Sequence, residues 1–254
     1  MINLKSQREI ALMREAGAIV GNLLNLFNSM VKPGVTTIEL DKFAENFIIK
    51  HNAKPAFKGF VSAFKQHYPY TLCTSVNESV VHEMPSKRVL QEGDIISIDV
   101  GTYYKGYYGD GAYTFTVGEV NKSKLNLIEV TKHSLELALK KAYPGNHLTD
   151  ISNTIQTYVE SNGFSIVRDF TGHGIGTKLH EEPTIFNFGS PSRGPVLEPG
   201  MTLAIEPMVN AGTYEVKVMN DGWRAVTLDG KPSAHFEHTI VITESEPQIL
   251  TLLK

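Results

Sequence analysis

Val89-Leu90-Gln91-Glu92-Gly93-Asp94-Ile95-Ile96-Ser97-Ile98-Asp99 recurs without a gap as Val196-Leu197-Glu198-Pro199-Gly200-Met201-Thr202-Leu203-Ala204-Ile205-Glu206. The offset is 107 residues (206 − 99); it lays Asp99 on Glu206 and Ser97 on Ala204. Each copy turns at a glycine and runs into an apolar strand that ends on an acid. Strand side chains alternate between faces. Ile96, Ile98 and Val100 therefore share one face, with Ser97 and Asp99 on the other. Leu203 and Ile205 likewise oppose Ala204 and Glu206. Both strands are apolar behind and small and acidic in front.

The likeness extends outward from these strands. Pro33-Gly34 precedes a helical pattern with Leu40, Phe43, Phe47 and Ile48 on one face, and Pro144-Gly145 precedes another with Ile151, Ile155 and Tyr158, at an offset of 111 (145 − 34). Thr36 and Glu39 have capping-box spacing for the first of these helices. A longer helix precedes each Pro-Gly. Ser6 and Glu9 cap the first, which carries Ile10, Met13, Val20, Leu23, Leu24 and Phe27. The second runs from about Ser123 to Ala142, with Leu125, Ile128, Leu135 and Leu139. Downstream, Tyr107–Phe115 resembles Ala234–Ile242 and lays Asp110 on Glu237. Each half thus reads helix, helix, strands, with one acid on each of two strands. The order implies a duplicated α+β unit closed around a pseudo-twofold axis. Residues 116–124 form only a short polar connection, so the expectation is one domain over 1–254, with halves at about 1–118 and 119–254.

An unpaired carboxylate on a central strand is costly to bury. If the halves face each other, Asp99, Asp110, Glu206 and Glu237 point at one place. Four carboxylates there could not all stay ionised without cations. His173, in Thr171-Gly172-His173-Gly174-Ile175-Gly176, supplies a nitrogen flanked by glycines that leave its ring unobstructed. Oxygen ligands with one imidazole suit Mn, Fe, Co or Zn. A pair of such ions roughly 3.5–4 Å apart ionises a water near neutral pH. The expectation is a two-metal site that activates water for hydrolysis. Taken singly the residues have duller readings: Asp110 in Gly-Asp-Gly has the form of a turn aspartate, and a lone histidine is usually structural. The correspondence of Asp110 with Glu237 favours a ligand.

The bulk properties agree with an enzyme of ordinary size. The chain has 254 residues, 41% hydrophobic and 20% charged, with a net charge of −3. That balance argues against a general attraction to nucleic acid. The one cysteine, Cys73, allows no intrachain disulfide, which suits a reducing compartment. The first residues, MINLKSQREIALMREAG, are charged and amphipathic, without an apolar signal core. No stretch is expected to reach the roughly 20 apolar residues of a bilayer span.

Several motifs, in order and along nearly the whole chain, resemble the methionine aminopeptidases of the shorter, type I class found in bacteria. They are Ser75–His82; Ile98-Asp99-Val100-Gly101; Gly109-Asp110; Gly172–Gly176 followed by His180-Glu181-Glu182-Pro183; Ile205-Glu206-Pro207-Met208; and Phe236-Glu237-His238-Thr239. The resemblance implies the pita-bread fold, two pseudo-twofold halves of helices packed on a curved, mainly antiparallel sheet. It implies removal of the initiator methionine from nascent chains when the second residue is small. Asp99 would chelate one metal, Asp110 and Glu237 would bridge both, and His173 and Glu206 would complete the second. Glu206 would also handle the proton of the attacking water. His180 would stabilise the oxyanion at the scissile carbonyl, and His82 would lie near the substrate amide. Tyr68, Cys73 and Trp223 fit the family's methionine pocket, with Cys73 a wall rather than a nucleophile. The further implications are two divalent ions per chain, N-terminal Met peptides as substrates, a transient ribosome contact, a monomer, a cytoplasmic location, and neither membrane nor specific nucleic acid as partner.

The chain departs from the family pattern in places. Leu179 stands before His180 where Phe is frequent, and Glu83-Met84-Pro85 follows His82 in place of Gly-Ile-Pro. The pocket wall from Pro55 to Tyr70, including Phe57 and Phe60, is the least standard stretch. Two other readings share the fold. A proline-directed peptidase would normally carry an extra N-terminal domain, whereas here the first helix starts near residue 6. A non-catalytic binding module would normally have lost ligands, and all five are in place.

Overall fold

The computed structural model describes residues 2–61 and 66–252. Among the described residues four helices carry the two halves: α1 (Gln7–Met30), α2 (Thr37–Lys50), α3 (Lys122–Leu139) and α4 (Leu148–Ser161). Their starts follow the expected chemistry. Ser6 and Glu9 form a capping box at α1, with the Ser6 N–H donating to Glu9 Oε2 at 2.7 Å. At α2 the Thr36 N–H donates to Glu39 Oε2 at 2.7 Å. Leu125, expected on the inner face of α3, is instead 44% exposed, and Leu127 and Ile128 face the core.

The duplication is visible bond by bond. The Gly34 N–H donates to Leu90 O and the Gly145 N–H to Leu197 O, each at 2.9 Å. Thr36 bridges Val89, and His147 bridges Val196. The turn glycines Gly93 and Gly200 adopt φ of +87° and +95°, a left-handed conformation that side chains resist. The two repeat strands therefore leave equivalent turns in the same direction.

All strand pairs are antiparallel. In the N-terminal half Ile95–Tyr104 is central, between Leu72–Val76 and Tyr107–Thr116. In the C-terminal half Thr202–Ile205 lies between Gly172–Gly174 and His238–Val241. The helices cover the apolar faces. Leu23, Phe27, Leu40 and Ile48 pack with Ile96, Ile98 and Val100, while Leu135, Ile151 and Ile155 pack with Leu203, Ile205 and Ile240. The opposite, acid-bearing faces are left to meet each other.

They meet across the pseudo-twofold axis. The Glu237 N–H donates to Ala112 O at 2.9 Å, and Ala112 N–H to Glu237 O at 3.4 Å. To one side, Asp110 N–H donates to Thr239 Oγ1 at 3.0 Å, and that hydroxyl donates to Asp110 O at 2.8 Å. To the other, His235 N–H donates to Thr114 Oγ1 at 2.9 Å, and that hydroxyl donates to His235 O at 2.8 Å. The repeat lays Asp110 on Glu237 and Ala112 on Thr239. The pair Ala112–Glu237 and the pair Thr239–Asp110 are thus one contact seen from both halves. This seam places two of the acids side by side.

Helix α1 is long and apolar enough, by length and composition, to cross a membrane, contrary to the expectation that no segment reaches that threshold. Within the fold, 56% of its most apolar window is buried. Its glycines bring backbone close to backbone. A Cβ on Gly17 would sit 2.5 Å from Leu250 O, and one on Gly109 would sit 2.7 Å from Gly17 N. Gly17→Ala should therefore destabilise the protein by about 1–3 kcal/mol through overpacking, although Ala would favour an isolated helix by ~1 kcal/mol. Thermal unfolding checks the sign: a melting temperature at or above that of the parent would contradict this packing.

Candidate functional site

The four acids and the histidine expected as ligands reach one cavity of about 320 Å³ from five different backbone segments. Asp99 projects from the centre of Ile95–Tyr104, paired with Cys73 on one side and Ala112 on the other. Asp110 lies within Tyr107–Thr116, opposite Gly101. The hairpin turn falls earlier, at Lys105 and Gly106 with φ of 49° and 96°, so the turn-aspartate reading of Asp110 does not hold. Glu206 follows directly on Thr202–Ile205, and Glu237 joins Ser233–His235 to His238–Val241. His173 is the middle residue of Gly172–Gly174. A Cβ at Gly172 would collide with Ala204 O, and one at Gly174 with Glu182 O. The glycines beside the histidine are needed because neighbouring backbone presses on both.

Ligand-capable atoms of Asp110, His173 and Glu237 all lie within 4.8 Å of one another. His173 Nε2 is 3.6 Å from Glu206 Oε1. Its Nδ1 is 2.9 Å from Gly174 O. A carbonyl can only accept, so Nδ1 carries the hydrogen and Nε2 presents its lone pair to the cavity. Burial first, and His180 second, depress the His173 pKa to about 3, so that lone pair is free at neutral pH.

The carboxylates are electrostatically uncomfortable. Burial raises Asp99, Glu206 and Glu237 well above the ordinary carboxylate range, and repulsion from the neighbouring acids adds to it. Burial brings Asp110 to about 7 against the pull of the Gly111 N–H. Asp99 Oδ1 and Glu237 Oε1 are buried with no hydrogen-bond partner among the described residues. Orphaned acceptor oxygens beside an imidazole lone pair fit divalent cations, which would answer both the missing partners and the repulsion.

The remaining expected residues line the same cavity. His180 stacks edge-on against the His173 ring at 4.3 Å, and burial lowers its pKa. His82 sits at φ 61°, with its ring 5.4 Å from Phe170 and 6.5 Å from Trp223. Burial first, then His180, lowers His82 to about 4. Tyr68, Cys73 and Trp223 form one buried cluster, with Tyr68 and Trp223 rings 5.0 Å apart. The Tyr68 hydroxyl donates to Leu72 O at 2.8 Å, so it offers the cavity mainly its ring. Burial raises the Cys73 thiol far above the range of a reactive thiolate.

In the least standard stretch, Phe57 and Phe60 both line the cavity, and Leu179 completes the wall. Residues 62–65 of that stretch lie outside the described residues. Sequence reasoning missed Phe170, Met208 and His235. Phe170 and Met208 line the cavity. His235 is 2% exposed, and its Nε2 is 3.6 Å from Glu206 Oε2. Period-two alternation could have found it, since His235 lies two residues before Glu237 and so shares its face.

The description of metallopeptidase family M24 matches residues 11–244. The chain is similar to a methionine aminopeptidase of Clostridium perfringens, 54% identical over 254 residues and covering 100% of each chain. It is similar to the crystal structure of a methionine aminopeptidase from Thermotoga maritima, with a TM-score of 0.96 and 48% identity, covering 99% of this chain and 100% of that one. A prolidase from Pyrococcus furiosus shares the fold at a TM-score of 0.74 and 21% identity. That match covers 99% of this chain and 66% of the prolidase.

Proposed function

Because the chain belongs to metallopeptidase family M24, and within it to the bacterial type I methionine aminopeptidases, we propose that Asp99, Asp110, His173, Glu206 and Glu237 hold two divalent ions for its reaction. The protein is a divalent-metal-dependent hydrolase that removes the N-terminal methionine from peptides. Asp99 would hold the first ion, Asp110 and Glu237 would serve both, and His173 and Glu206 would hold the second. The ions are Mn, Fe, Co or Zn, with availability deciding among them. The observation that carries this reading is the meeting of Asp110, His173 and Glu237 within 4.8 Å of one another in a cavity that Phe57, Phe60, Tyr68 and Trp223 also line.

Bound divalent ions supply Lewis acidity and lower the pKa of water. The chain's own side chains do the rest. Glu206 takes the proton of the attacking water and passes it to the departing amine. His180 is neutral at pH 7 and offers an N–H to the carbonyl oxygen as negative charge builds there. His82 lies by the scissile amide and orients it. Tyr68, Cys73, Trp223, Phe57 and Phe60 receive the methionine side chain, whose thioether suits aromatic edges. The preferred substrates are nascent chains with a small second residue. The whole chain, 1–254, works as one catalytic domain with its site on the seam of the halves. It acts as a cytoplasmic monomer that touches the ribosome transiently and needs neither membrane nor specific nucleic acid.

Trp223→Ala removes an aromatic wall and should raise KM for Met-Ala-type peptides by about tenfold to a hundredfold, from the ~1.5–3 kcal/mol of a buried apolar side chain, with a smaller change in kcat. Steady-state kinetics separate the two. A peptide panel on chelated and remetallated protein tests the function itself. Release of Met from Met-Ala peptides with little cleavage of X-Pro peptides is expected. Preferential X-Pro cleavage would favour the proline-directed reading.

A further inference from the structure

Two segments meet beside the cavity, and each carries a cavity-lining ring followed at once by a charged residue. Glu83 follows His82, and Arg224 follows Trp223. Arg224 Nε lies 3.6 Å from Glu83 Oε1. The same Nε donates to Ser79 Oγ at 2.7 Å, and Nη2 donates to Glu78 Oε1 at 2.8 Å. The Glu83 side chain is only 12% exposed. Its Oε2 accepts the Val76 N–H at 2.9 Å, and Oε1 also accepts from Arg88 Nη1 at 3.3 Å. The Glu83 main chain is pinned as well, its carbonyl accepting the Thr74 N–H at 2.8 Å.

The β-ladder between these segments does not hold them alone. Ser79–Val81 pairs with Ala225–Thr227, but the register shifts between Ala225 and Val226, beside Trp223 and Arg224. His82, at the other end of the junction, takes a left-handed φ of 61°. Such a conformation persists only where its surroundings over-determine it. An irregular ladder and a left-handed turn leave the spacing of the two rings to side-chain contacts. The Arg224 guanidinium grips the facing segment through Ser79, Glu78 and Glu83, and the Glu83 carboxylate ties that grip to Val76 and Arg88.

We propose that the Glu83–Arg224 pair is a positioning clamp, which fixes His82 against Trp223 and thereby shapes the cavity beside the scissile bond. Neither residue lines the cavity among its described lining residues, so both act through their neighbours. The proposal rests on the reading of His82 and Trp223 as substrate-facing groups.

Trp223 is the sole tryptophan, so its fluorescence reports the clamp without any substrate. In Arg224→Met the emission of the ligand-free protein should shift to the red and its quenching by acrylamide should rise. The value of kcat/KM for a Met-Ala-type peptide should fall about tenfold or more, as displaced groups do, with metal content unchanged. Arg224→Lys, which keeps a charge opposite Glu83, should recover part of the loss. Glu83→Gln keeps an acceptor for the Val76 N–H and carries the same test if Arg224→Met fails to fold. Arg224→Met also removes the contacts to Ser79 and Glu78, so the double variant should be little worse than Arg224→Met alone, in which the Glu83 contact is already lost. Unchanged Trp223 emission and quenching in the single variants, or losses that multiply in the double, would overturn the clamp. Failure of the parent protein to cleave Met peptides would overturn the proposed function instead, while fluorescence still decides the clamp.

Discussion

Glu206→Gln is expected to lower kcat for Met-Ala-type peptides by about 10²–10⁴-fold, the usual worth of a general base, with the fold intact. The Glu206 carboxylate lies between two imidazole nitrogens, His173 Nε2 and His235 Nε2, each 3.6 Å away. Both rings are held neutral by burial, with pKa values of about 3. Neither can act as a cationic partner at neutral pH, so the carboxylate's charge is left for a metal and for the water's proton. Glutamine matches its shape but cannot take that proton. The variant also removes one negative charge from a buried group of four acids. The metal-free variant should therefore unfold at the same or a higher temperature than the parent. Loss of activity without loss of stability separates chemistry from folding. Residual kcat above a tenth of the parent value would count against Glu206 as the base.

Chelation should abolish turnover and, alongside it, lower the melting temperature. Burial and mutual repulsion raise Asp99, Glu206 and Glu237, so the metal-free site opposes folding. Ions that bind only the folded protein stabilise it by about 2.7 kcal/mol at a hundred times their dissociation constant. For a chain of this size that is roughly 5–10 °C, at ~2–4 °C per kcal/mol. Glu237→Gln should lose most of this metal-induced shift, since Glu237 Oε1 is one of the orphaned oxygens. Calorimetric scans with and without Mn or Co check both statements. A melting temperature indifferent to metal in the parent protein would contradict the ligand set.

The repeat made much of this legible from sequence. Alternation along Ile95–Gly101 and Met201–Glu206 assigned the apolar and acidic faces, because each strand has one face under helices and one on the seam. The local turn signal at Asp110 misled, since the hairpin turns earlier, at Lys105-Gly106, and Asp110 lies within the strand. What stayed hidden depends on contacts distant in sequence. Phe170 and Met208 carry no chemistry that marks them apart from ordinary core residues. His235 was readable by alternation, yet nothing local says that its ring faces Glu206. The membrane-length composition of α1 is likewise undecidable along the chain; only the packing of Gly17 against Leu250 and Gly109 shows where that helix belongs.

The most direct test is to strip the protein with a chelator, titrate Mn or Co back, and follow release of free methionine from a Met-Ala-Ser peptide in parent and Glu206→Gln protein. The account predicts that the parent regains cleavage as metal binds, reaching two equivalents per chain at saturation, while Glu206→Gln stays nearly inert. Methionine release from the metal-free parent, or no release at any metal concentration, would contradict it.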